Sequence, residues 1–192
     1  VSKNNKTPVY AVGGFVRDFL LGREQKKDID FVVVGSGLAF AKAFDEELKQ
    51  TGSLVEFPDF DTARYIIKAE ENSEEIVLEF DGARTEKYKA NSRKPIVEQT
   101  SLEEDLARRD FTVNTMAVPV SVFCGAKWPG LPKLKKEIID PFAGQKDLEN
   151  KILRTPLDPD QTFIDDPLRM MRAVRFASQL DFSIDPKTLE SV

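Results

Sequence analysis

Residues 28–34 read Asp-Ile-Asp-Phe-Val-Val-Val, alternating at first and then turning wholly apolar. A short apolar run bounded by polar and turn residues is the pattern of a buried strand. Such a strand commits the chain to a sheet with cover. The flanking sequence supplies candidates for both. Upstream, 9–12 is a short apolar strand that ends in Gly13-Gly14, and 15–21 reads as a helix closed by Gly22. Downstream, Gly35-Ser36-Gly37 turns the chain into a helix expected over 38–50. Its apolar members Leu38, Phe40, Ala41, Phe44 and Leu48 recur at helical spacing. Further strands are expected at 54–57, 63–69 and 76–80, with the acidic stretch 70–75 as a hairpin loop. The pattern is α/β.

The second half is less regular. Residues 84–100 are polar and basic and read as a loop, carrying Lys87, Lys89, Arg93 and Lys94. Ser101-Leu-Glu-Glu opens a helix as a capping box, in which the Ser hydroxyl accepts from the Glu104 amide while Glu104 reaches back. An apolar segment follows at 116–123, and 126–137, rich in Pro, Gly and Lys, reads as a surface excursion. A turn at 140–144 leads to a short helix at 145–150, and 159–180 reads as one long amphipathic helix. These features divide the chain into an α/β domain over 1–150 and the start of a helical segment over 151–192. A new helix begins close to Val192, so the chain is expected to continue beyond that point.

Two absences narrow the chemistry. There is no histidine, which removes His acid–base catalysis and His-ligated zinc within this chain. The metal ligands left are carboxylates, which suit Mg²⁺ or Mn²⁺. The single cysteine, Cys124, rules out an intrachain disulfide and fits a reducing, cytoplasmic setting. No apolar run approaches the ~20 residues of a membrane helix. The net charge of −5 gives no whole-chain basic footprint for nucleic acid. If a nucleic acid binds, it is expected to meet a local patch, or parts of the protein beyond residue 192.

The candidate chemistry begins at Asp28-Ile29-Asp30, since residues two apart on a strand share a face. Two carboxylates so placed can share hard cations of the kind phosphoryl transfer uses. Alone, a D-x-D is more often a solvated strand end. Here Gly13-Gly14 lies upstream between a strand and a helix, where bare backbone lets phosphates approach. Arg17, one turn into that helix, is placed to hold a phosphate.

Gly13-Gly14-Phe15-Val16-Arg17-Asp18-Phe19-Leu20-Leu21-Gly22, followed by Lys27-Asp28-Ile29-Asp30-Phe31-Val32, resembles the signature of class II tRNA nucleotidyltransferases and bacterial poly(A) polymerases. The resemblance continues through Arg108-Arg109-Asp110-Phe111-Thr112-Val113-Asn114, then Asp140-Pro141-Phe142 with Gly144 and Asp147-Leu148. It ends with Asp165-Asp166-Pro167-Leu168-Arg169 and Arg172-Ala173-Val174-Arg175-Phe176. Two positions depart from the family pattern: Asp165 stands where Glu is usual, and Thr115 where Ala is common.

The resemblance implies a polymerase-β-like nucleotidyltransferase palm, a mixed sheet flanked by helices, followed by the start of an all-helical neck. Two Mg²⁺ ions, or Mn²⁺, would be held by Asp28, Asp30 and a third carboxylate from a neighbouring strand. Glu79 matches that third position best, with Asp81 as the fallback two residues on. Arg109 and Asp110 correspond to the element that contacts the sugar and phosphates of the incoming nucleotide. Gly13, Gly14, Arg17, Asn114, Arg172 and Arg175 fall among its other nucleotide-binding positions. Asp166 and Arg169 correspond to the pair that reads the base, and their i,i+3 spacing puts them on one face of the expected helix. An Asp accepts from the amino group that cytosine and adenine share, and an Arg donates to a ring nitrogen or carbonyl oxygen. The implied reaction adds C or A from CTP or ATP to the 3′ end of a tRNA. The basic stretch 84–100 occupies the position of the family's flexible loop, which favours addition of A. A poly(A) polymerase shares every one of these motifs. A non-catalytic RNA-binding module would leave the carboxylates at 28, 30 and 79 unexplained.

Overall fold

The computed structural model describes residues 1, 7–23, 27–68, 74–87, 96–124 and 130–192. Strand β1 (Val9–Val12) ends at the glycine turn, helix α1 (Gly14–Leu20) follows, and β2 (Asp28–Val33) returns antiparallel beside β1. Ser36 then starts α2 (Gly37–Glu47), its hydroxyl accepting from the Ala39 amide. Strands β3 (Ser53–Phe57), β4 (Thr62–Ile67) and β5 (Ile76–Gly82) form an antiparallel run. β4 and β5 are neighbours as the hairpin reading requires, with residues 69–73 of its loop outside the described residues. β5 docks parallel to β2, placing Glu79 opposite Asp30. With β8 (Ala117–Pro119) on the far side of β1, the sheet order is β3-β4-β5-β2-β1-β8.

One face of this sheet is closed by α2. Phe40 and Phe44 of α2 meet Phe80, and the rings of Phe31 and Phe80 stack at 5.3 Å. On the other face Val12, Val32 and Ala83 pack against Leu106 of α3 (Leu102–Ala107). A larger core runs from Ala11, Phe15 and Val16 through Phe111, Val113 and Met116. It continues to Leu153, Phe163, Ala173 and Phe176, so helices after residue 150 share one interior with β1 and α1. α5 (Gly144–Glu149) sits against the Thr112–Asn114 turn so closely that a Cβ on Gly144 would lie 2.2 Å from the Thr112 carbonyl oxygen. The α/β architecture and the mixed sheet flanked by helices are as the sequence indicated.

Three segments differ from their sequence reading. Within 84–100, β6 (Arg84–Lys87) and β7 (Ile96–Gln99) pair antiparallel, so the stretch is rooted as a two-stranded ribbon. Residues 88–95 lie outside the described residues. The adjacent Ile96-Val97 pair is the strand signal that the surrounding charges hid. Within 126–137, Leu131–Glu137 is a helix, α4, which buries Leu134 beneath its lysines. Of that stretch, 126–129 falls outside the described residues. The expected long helix over 159–180 is two: α6 (Pro159–Asp165) and α7 (Leu168–Leu180). Asp166 between them is extended, at φ −145° and ψ 96°, because the ring of a following proline excludes the α region from the residue before it. The Asp166 carboxylate instead accepts from the Leu168 amide at 3.1 Å. The remaining elements are β9 (Ile152–Leu153), parallel to β10 (Ser183–Ile184), and the short helix α8 (Pro186–Glu190).

Candidate active site

The end of the sheet where β1 gives way to α1 and β2 begins faces α3 and α7 across a cavity of about 690 Å³. Every candidate metal- or nucleotide-binding residue named from the sequence lines it except Glu79. Seven arginines line the cavity: Arg17, Arg84, Arg108, Arg109, Arg169, Arg172 and Arg175. Six aspartates line it as well, and of these Asp28, Asp30 and Asp81 share one face of the paired strands β2 and β5. Guanidinium groups suit a polyphosphate, and neighbouring carboxylates suit the cation it carries.

Local chain geometry explains these neighbouring carboxylates. Asp28 and Asp30 stand on one face of β2, and the parallel register brings Glu79 alongside Asp30 and Asp81 two residues further along. Asp30 is pushed above the usual carboxylate range, first by burial. Arg109 opposes this, while Glu79, Asp81 and Asp28 add to it. A site that holds excess negative charge in a partly buried place is one a hard cation would relieve, and its donors are all oxygen. The two candidates for a third carboxylate differ in surroundings. Glu79 opens into a smaller side cavity with Asp28, Asp30 and Arg64, and pairs with Arg64. Asp81 lines the main cavity, accepting from Thr62 and from Arg84 at 3.2 Å. Among the described residues no three Asp, Glu or Cys side chains converge closely enough to hold one ion between them. Asp28 and Asp30, which line both cavities, offer the oxygen donors that a hard cation would need.

Gly13 has φ +67°, a conformation that L side chains rarely adopt. A Cβ there would also lie 3.4 Å from Arg109 Nη1 and 3.7 Å from Asp30 Oδ2. Both charged groups therefore flank the bare turn. Behind it runs a buried polar chain. Arg17 donates to Asp18 and, at 2.7 Å, to the Asn114 side-chain oxygen, while Asn114 donates to Asp110 at 3.0 Å. Asp110 in turn accepts from Arg172 Nε at 2.8 Å. The chain ties α1 to α7 through the Thr112–Asn114 turn. The ring of Phe176 carries the guanidinium groups of Arg17, Arg172 and Arg175, at 5.3, 5.2 and 5.0 Å. Aromatic faces attract cations in this way.

Asp166 and Arg169 do meet, with Nε 3.8 Å from Oδ2, but not as neighbours on one helix face. Asp166 sits in the break before α7 and Arg169 in its first turn, where Arg169 also donates to the Thr162 carbonyl at 3.4 Å. The sequence reading missed Asp105. Its side chain is fully buried and accepts from both Arg108 and Arg109. The i,i+3 and i,i+4 spacing from Asp105 to those arginines was the available signal.

Residues 9–154 match the poly A polymerase head domain family. The chain is 42% identical over 180 residues to an A-adding tRNA nucleotidyltransferase of Aquifex aeolicus, covering 93% of this chain and 19% of that protein. It resembles a crystal structure of a tRNA nucleotidyltransferase complexed with a primer tRNA and an incoming ATP analog. The TM-score is 0.74 and the identity 36%, over 99% of this chain and 47% of that one. A tRNA-processing enzyme solved with CTP matches at TM-score 0.75 and 35% identity, over 99% and 43% of the two chains. The chain thus spans less than half the length of each of these proteins. The sequence and fold matches agree: the chain belongs to the poly A polymerase head domain family.

Proposed function

We propose that the protein is a template-independent RNA nucleotidyltransferase that adds C, A or both to the 3′ end of tRNA from CTP and ATP. The observation that carries this reading is the single cavity that joins the Asp28–Asp30 pair to the arginine wall. The RNA 3′-hydroxyl gives up its proton to water, its oxygen forms a bond to the α-phosphorus, the bond from that phosphorus to its bridging oxygen breaks, and pyrophosphate leaves. Bound divalent cations, Mg²⁺ or Mn²⁺, would lower the hydroxyl's proton affinity and neutralise the leaving phosphates. Asp28 and Asp30 are the residues that would hold them, with Glu79 or Asp81 in support. The Gly13-Gly14 turn lets the phosphates reach the backbone, and Arg109 stands beside it to receive their charge. Arg17, Asp110, Asn114, Arg172 and Arg175 shape the wall on which sugar and base rest, and Asp166 with Arg169 selects the base. In this reading residues up to about 150 are the catalytic domain, and the helices that follow begin a base-recognition domain. The tRNA is gripped mainly by regions outside this chain, and the protein works in the cytoplasm.

The test incubates the intact protein with Mg²⁺, CTP and ATP on tRNAs ending before CCA, after C and after CC, and sequences the products. Completion of CCA, or addition of the terminal A alone, is the expected result. Asp28→Ala and Asp30→Ala should abolish incorporation while the circular dichroism spectrum stays that of the parent. Long A tails on unstructured RNA would favour a poly(A) polymerase. No incorporation on any substrate would leave a binding module.

A further inference from the structure

Asp105 is the most deeply buried aspartate among the described residues, and the reaction scheme gives it no part. Helix α3 carries it one turn before the two arginines. Arg108 donates to its Oδ1 from Nε and Nη2, at 3.1 and 2.7 Å. Arg109 donates to its Oδ2 from Nε and Nη2, at 3.4 and 3.2 Å. One carboxylate therefore holds one edge of each of two guanidinium groups. Its own side chain is 0% exposed, while those of Arg108 and Arg109 are 21% and 17% exposed and line the cavity. Gripping the Nε edge of Arg109 leaves Nη1 directed to the Gly13 turn, beside Asp30. The same oxygen that binds Arg108 accepts from the Arg84 amide at 3.3 Å, and Arg108 Nε donates to the Arg84 carbonyl at 2.9 Å. Both backbone groups of the first residue of β6 are thus fixed to the same pair. An exposed ion pair of this spacing would do little. A buried, forked one fixes direction, because planar guanidinium groups bind carboxylates in a set geometry.

Resting on the reading of the cavity as a nucleoside triphosphate site, we propose that Asp105 is a positioning residue for the phosphates of the incoming nucleotide. It acts by aiming Arg109 at the Gly13 turn. It touches no substrate itself. Its removal leaves Arg109 charged but unaimed, so contacts to phosphate weaken while those to base and sugar persist.

The test measures binding of ATP and of adenosine to the intact protein, with Mg²⁺, by calorimetry. Asp105→Asn keeps the shape and removes the charge. It should weaken ATP binding roughly tenfold or more, the scale of a lost charged hydrogen bond, and change adenosine binding less than about twofold. Arg109→Gln should produce the same ATP-confined loss, and the double variant should bind ATP no worse than Arg109→Gln alone. Asp61→Asn serves as the control. Asp61 also accepts backbone amides, those of Gly37 and Leu38, but lies outside the cavity lining. It should leave ATP affinity unchanged. If circular dichroism shows Asp105→Asn unfolded, Asp105→Glu, which keeps the charge on a longer arm, should show the ATP-confined loss. ATP affinity equal to the parent's, equal losses for ATP and adenosine, or additive losses in the double variant would each overturn the role. A parent protein that binds no nucleoside triphosphate would instead overturn the reading of the cavity on which it rests.

Discussion

Asp166 is held in extended backbone by the proline after it, and its carboxylate already serves one amide, that of Leu168. Arg169 is likewise tethered, to the Thr162 carbonyl. Each side chain is thus fixed in advance, and both edge the cavity. In the proposed role, a base whose edge has the wrong polarity would leave one of these groups unpaired, at a cost of ~1–3 kcal/mol or roughly ten- to hundredfold in discrimination. Asp166→Ala and Arg169→Ala should therefore incorporate UTP or GTP at a measurable rate and use CTP and ATP more slowly. Competition among all four nucleotides on the full-length variants checks this. Exclusion of UTP and GTP equal to the parent's would assign the pair to structure alone. That these two residues belong together was legible from sequence. How they meet was not, because a spacing of three suggests a helix face, whereas the proline moves one partner off it.

At the level of elements, α3 shows how a short helix is kept rigid enough to present a charged pair. The Ser101 hydroxyl accepts from the Glu104 amide, and the Glu104 carboxylate accepts from the Ser101 amide. Ser101→Ala should cost about 1 kcal/mol of stability, typical of a lost N-cap, read as a lower denaturation midpoint at unchanged slope. An unchanged midpoint would show that packing of Leu106 alone holds the helix. This motif, the first strands and α2 were readable because local sequence decides them. The ribbon β6–β7 and α4 were not. Each carries several charges, and what makes them regular lies elsewhere in the chain: cross-strand pairing for one, burial of Leu134 for the other. The carboxylate pair at 28 and 30 was legible from the strand period. The choice between Glu79 and Asp81 was not, since both lie on one face of β5. Only the tertiary surroundings separate a residue paired with Arg64 from one that faces the main cavity.

For the molecule as a whole, acid is the informative stress. Burial alone would raise the Asp105 carboxyl, but the charges of Arg109 and Arg108 and the hydrogen bonds from Arg108 and the Arg84 amide outweigh it and hold the group below its usual range. A carboxyl lowered in the folded state contributes stability that is complete above its unfolded value, about 3.9. That contribution is lost as pH falls through the folded value. The melting temperature of the parent should fall as pH drops below about 4, and in Asp105→Asn, which has nothing left to protonate there, the fall should be shallower. Parallel curves would remove Asp105 from the account of acid stability. The sheet order has another consequence, which concerns synthesis. β1 is made first but lies between β2 and β8, with β8 at residues 117–119. Until the ribosome has released about a hundred further residues, one edge of an apolar strand has no partner, and open edges of that kind invite pairing with other chains. Of the strands in this sheet β1 therefore waits longest for its second neighbour, from the making of residue 13 to that of residue 117.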